Sequence, residues 1–124
     1  FTAALTSWKE MLDNGLTTFA ETPDPARSDC HAWSASPVYY FLSLVSGIKP
    51  ASPGFKTVKI EPNLGNLNNI DAAMPHKLGT IRVRLEKENG NQVNGEIILP
   101  GGLNGVFIWN GIQRQLKEGT NKIN

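Results

Sequence analysis

Apolar residues recur at helical intervals through the first fifty positions and alternate with polar ones after Phe55. Ala4, Leu5, Trp8, Met11 and Leu12 fall at i, i+3, i+4 and i+7 spacing, which draws one stripe down an amphipathic helix. Gly15, after "LDN", suits the position just past that helix, because glycine takes a positive φ without a Cβ penalty. A second helix is expected from about Ser36, where Ser-Pro offers an N-cap and a first-turn proline; a start near Ala32, with Pro37 kept in the first turn, fits as well. It carries Val38, Phe41, Leu42, Leu44 and Val45, and Gly47 closes it.

Beyond Phe55 the period becomes two. "KTVKI" sets Val58 and Ile60 on one face, and "TIRVRLE" turns Ile81, Val83 and Leu85 inward with Arg82, Arg84 and Glu86 outward. Asn89-Gly90 and Asn110-Gly111 are tight-turn dipeptides, so each is expected to close a hairpin. "VNGEIILP" is the returning strand of the first, with Gly95 expected at a bulge. The pattern predicts an α+β chain: helices over residues 1–50, then an antiparallel β-sandwich or sheet pair over residues 51–124. Phe107 and Trp109 share one face of a strand, which favours packing over display.

Composition narrows the function classes. The 124 residues carry 12 Lys/Arg against 11 Asp/Glu, and a net charge of +1 gives no sign of a nucleic-acid or anionic-membrane partner. "VYYFLSLVSGI" is far shorter than the ~20 apolar residues of a membrane span. Cys30 is the single cysteine, so no internal disulfide can form, and it is expected as a small buried apolar residue. No metal site is expected, because one cysteine and two distant histidines give no ligand pair on one turn. No cofactor is expected, since no glycine-rich phosphate loop is present. His76, in "PHKLG", has no nucleophile signature beside it. The opening "FTAALTSWKEML" reads as the middle of a helix, so the chain is expected to be a piece of a longer protein.

The chemistry collects in "TTFAETPDPARSDCHAWSASP", residues 17–37. Two prolines after Glu21 stiffen the backbone and can hold its carboxylate in place. A carboxylate, His31 and Trp33 on one connector are a combination that suits a sugar, which needs polar partners for its hydroxyls and an apolar face for its C–H surface. Each residue also has an ordinary reading: Glu21 solvated or capping, His31 structural, Trp33 in the core.

"TTFAE", "SDCHAWSASPVYYFLSLVSGIKP", "PGFKTVKIEPNLGNL" and "GTIRVRLEKENG" together resemble the C-terminal end of bacterial α-L-rhamnosidases of glycoside hydrolase family 78, over nearly the whole chain. The resemblance implies that residues 1–50 are the last helices of an (α/α)6 barrel and that the remainder is the sandwich following it. It further implies an inverting hydrolase acting on a rhamnosyl glycoside or polysaccharide, with two carboxyl groups ~6.5–9.5 Å apart to admit a water. Glu21 matches the family's general base and His31 a sugar contact; Trp33 and Asp29 would support them. Ala20 stands where the family often has an aromatic residue. Nothing matches the general acid, which implies a fragment inactive alone. The family's substrates imply a periplasmic or extracellular parent. Barrel helices without neighbours would leave Trp8, Met11 and Leu12 wet, so self-association through exposed helix faces is expected. Three other readings stay open: a carbohydrate-binding module using Trp109 and Phe107, a purely structural sandwich, and a piece of another (α/α)6 glycosidase.

Overall fold

The computed structural model describes residues 5–23, 27–88 and 92–124. The chain forms two compact units, Phe1–Tyr40 and Phe41–Asn124.

The first unit opens with α1 (Thr6–Asp13). Its C-terminus is closed by two backbone bonds: the Gly15 amide donates to Leu12 O, and the Leu16 amide to Met11 O, both at 2.9 Å. This pair of bonds defines a Schellman motif and requires the left-handed φ of +76° that Gly15 supplies. Of the expected stripe, Met11 is buried and Trp8 half-buried, whereas Leu12 is 72% exposed.

The second helical run starts at the earlier of the two expected positions. A 3-10 turn covers Ala32–Ala35 and leads into α2 (Ser36–Tyr40). His31, in extended backbone, is the residue that precedes it, and Ser36 is helical rather than a cap. The run is already under way before Ser36: the Ser34 amide donates to His31 O and the Ser36 amide to Trp33 O, so Ser36 continues a turn that begins after His31.

The second unit begins with a π-helical turn, Phe41–Val45, in which the Ser46 amide reaches Phe41 O at 2.9 Å. Among the described residues eight strands follow: β1 (Ile48–Pro50), β2 (Thr57–Ile60), β3 (Asn69–His76), β4 (Gly79–Lys87), β5 (Val93–Leu99), β6 (Asn104–Trp109), β7 (Ile112–Leu116) and β8 (Gly119–Ile123). They make two four-stranded sheets, ordered β1-β2-β6-β7 and β3-β4-β5-β8. Both sheets contribute to one apolar core, with Val58 and Ile60 from the first, Ile81, Val83, Leu85 and Ile97 from the second, all almost fully buried. The inward residues are the ones the alternation picked out. Their neighbours Arg82, Arg84 and Glu86 are exposed, and Arg84 pairs with Asp71 at 3.1 Å on the outer face.

The expected all-antiparallel arrangement needs one correction. β2 and β6 run parallel, from Thr57↔Asn104 to Ile60↔Phe107. Three strands of the other sheet intervene between them in sequence, which gives the chain the long crossover that a parallel pair demands. Gly95 is a second correction. The β4–β5 register runs without interruption from Arg82↔Ile98 to Lys87↔Val93, so no bulge exists there. Glycine is needed because φ is +141° and a Cβ would meet Arg84 O at 2.0 Å.

The Asn110-Gly111 turn is as expected: both residues have positive φ, 51° and 78°, and Trp109 pairs with Ile112 across it. Asn89-Gly90 lies outside the described residues. Phe107 is buried and Trp109 packs half-buried against the core. His76 ends β3 with its Nε2 2.9 Å from Phe55 O and its ring edge-on to Phe55. That is a structural role, linking the β3–β4 turn to the turn before β2.

Candidate active-site loop

The connector between α1 and the 3-10 turn folds back on itself. The His31 amide donates to Phe19 O at 2.6 Å and the Glu21 amide to Ser28 O at 2.9 Å. The Thr18 hydroxyl adds a bond to Asp29 O. These bonds make a short antiparallel neck from two segments with little strand pattern, and they bring Glu21 and His31 onto its opposite sides. Ala20 is fully buried beside Glu21, so the position that departs from the family's aromatic preference is filled by a small side chain without contact to solvent.

Glu21 is drawn in from solvent, with its side chain 18% exposed. Both of its oxygens are engaged by Arg27: Nε donates to Oε2 at 3.0 Å and Nη2 to Oε1 at 2.5 Å. Such a two-pronged guanidinium contact fixes the plane of a carboxylate as well as its position. A carboxylate can accept about four bonds, so two lone-pair sites remain for a water or hydroxyl. Arg27 does not stand out in the sequence. The signal available was opposite charge on the two flanks of the "TPDPA" stretch, which separates Glu21 from Arg27 by six residues.

His31 is half-buried, and its ring meets the Trp33 indole edge to face, centroids 5.5 Å apart. Trp33 is 60% exposed, so the core reading of this tryptophan is overturned. Cys30 is also exposed, against the expectation of burial. Both sit at the junction where extended neck gives way to the 3-10 turn. The inward position in that turn falls to Ser34.

Ser34 anchors the loop to α1, since Trp8 Nε1 donates to Ser34 O at 2.6 Å. The Ser34 hydroxyl itself is buried with no hydrogen-bond partner among the described residues. Leaving a buried hydroxyl unpaired costs free energy, so Ser34→Ala is expected to keep or raise the stability of the first unit, by up to about 1 kcal/mol. Thermal unfolding of the variant checks this, and a clear loss of stability would show that the hydroxyl is satisfied in solution. Among the described residues, no cluster of three or more His, Cys, Asp or Glu is placed to hold a metal ion.

The fold is that of a two-sheet domain preceded in sequence by a short helical segment with a carboxylate–imidazole–indole loop. Residues 47–124 match the family model described as bacterial alpha-L-rhamnosidase C-terminal domain, and the chain belongs to that family. Solved structures agree. An α-L-rhamnosidase from Aspergillus terreus superposes with a TM-score of 0.80 at 18% identity, over 93% of this chain and 15% of its own. A GH78 family rhamnosidase of Bacillus sp. GL1 gives 0.79 at 27% identity, over 90% of this chain and 13% of its own. The α-L-rhamnosidase from Dictyoglomus thermophilum gives 0.74 at 17%, over 92% and 17%. The chain thus spans only about one-seventh of the length of these enzymes. No curated protein matches it.

Proposed function

We propose that this chain is the carboxy-terminal part of an inverting rhamnoside hydrolase in which Glu21 is the general base and His31 and Trp33 contact the sugar. The observation that carries this reading is the neck itself: two backbone bonds hold a mostly withdrawn carboxylate and an imidazole on facing segments, with an exposed indole two residues beyond. Glu21 would take a proton from a water aimed at the anomeric carbon, while Arg27 keeps the carboxylate in plane. Trp33 would supply the apolar surface for the sugar's C–H face and His31 a polar contact to a hydroxyl.

The general acid would come from a segment beyond these residues, as would the rest of an (α/α)6 barrel and its pocket wall. A base without its acid and pocket loses positioning, electrostatic preorganisation and proton donation together, so the chain alone is inert. A periplasmic or extracellular parent is part of the same reading, and so is self-association through Leu12 and the exposed Val38, Tyr39 and Tyr40.

Release of nitrophenol from 4-nitrophenyl α-L-rhamnoside tests the assignment. The 124-residue chain is expected to give no turnover above buffer. In the longer enzyme containing it, Glu21→Gln is expected to lower kcat by about 10²–10⁴-fold, the usual range for a general base. Turnover by the chain alone that Glu21→Gln abolishes would overturn the inert reading, and an unchanged kcat in the longer enzyme would overturn the base assignment.

A further inference from the structure

The two sheets leave a cavity of about 540 Å³ that none of the loop residues lines. Its apolar lining includes Phe107 and Trp109, neighbours on one face of β6, with Val93, Ile112 and Ile123. Six polar residues border the same space, and with Gln92 and Asn110 set aside four of them form pairs: Asn94 of β5, Glu88 from the segment before it, Arg114 of β7 and Asn124 after β8. They are already oriented in pairs. Asn94 Nδ2 donates to Glu88 Oε1, and Arg114 Nη1 donates to Asn124 Oδ1 at 3.4 Å.

We propose that this cavity binds a neutral polyhydroxylated ligand, a mono- or disaccharide unit, independently of the Glu21 loop. Among the lining side chains, one carboxylate and one guanidinium balance each other. Together the two pairs offer both kinds of partner: further guanidinium N–H donors and the Asn124 amide N–H on one side, the remaining carboxylate oxygen and the Asn94 carbonyl as acceptors on the other. A hydroxyl both donates and accepts, and a row of hydroxyls matches such a mixed rim. A hydrocarbon ligand would strip water from the four polar groups without replacing their bonds. The indole gives a sugar's C–H face an apolar surface to rest on. The volume falls within the ~300–1,000 Å³ typical of small-ligand sites.

The test is an amide and indole NMR titration of the full chain with methyl α-L-rhamnoside, methyl β-D-glucoside, glucuronate and benzyl alcohol. Saturable shifts of the Trp109 indole and the Asn94 and Asn124 carboxamides are expected with the neutral glycosides. Asn124→Ala, at an exposed position, and Trp109→Ala are each expected to weaken binding roughly tenfold or more, with the dispersed amide spectrum confirming the fold. Absence of saturable shifts at these groups, tighter binding of glucuronate or benzyl alcohol, or unchanged affinity in Asn124→Ala would overturn the proposal. Shifts confined to Trp33 and His31 would overturn it too, while leaving the loop assignment standing.

Discussion

Gly95→Ala is expected to destabilise the second unit by roughly 3 kcal/mol or more, a large share of the ~5–15 kcal/mol that stabilises a typical domain. Two costs add. The backbone holds φ at +141°, a region that L side chains rarely adopt, and the new methyl would lie 2.0 Å from Arg84 O. Neither partner can yield cheaply, because Arg84 and Glu96 flank the contact in the continuous β4–β5 ladder, with β3 and β8 paired beyond. Denaturant unfolding followed by far-UV circular dichroism reads the loss directly. A drop below about 1 kcal/mol would mean that the ladder accommodates a bulge there after all.

Ile97→Ala should cost about 2–5 kcal/mol, against less than about 0.5 kcal/mol for Ile112→Ala. The residue type is identical and the environment decides. Ile97 is fully buried in the core cluster on an interior strand, so its removal leaves a void that neighbours in two sheets cannot collapse to fill. Ile112 is 74% exposed beside the Asn110-Gly111 turn, and its truncation removes little buried surface. Paired melting curves separate the two, and equal shifts would contradict the two-sheet core.

The β half was legible from sequence because strand faces are set by a local period of two. Once Ile81, Val83 and Leu85 share a face, burying that face determines the exposure of Arg82 and Arg84. The helix end at Gly15 and the turn at Asn110-Gly111 were legible for a similar reason, since their backbone angles are a property of one or two residues. The loop was legible by residue type only. Glu21, His31 and Trp33 could be named as sugar-type chemistry, yet the expected burial of Cys30 failed and so did the ordinary alternative of a core Trp33, because burial on a connector follows no period.

What the sequence by itself determined was therefore local: which residues alternate, where glycine and asparagine turn the chain, and which connector holds the carboxylate and the imidazole. Tertiary structure alone decided the parallel β2–β6 pairing, the need for glycine at 95, the Arg27 grip on Glu21 and the meeting of Glu88, Asn94, Arg114 and Asn124 around Trp109. These are encounters between segments brought together by folding, and their energies depend on distances across space that spacing along the chain does not contain.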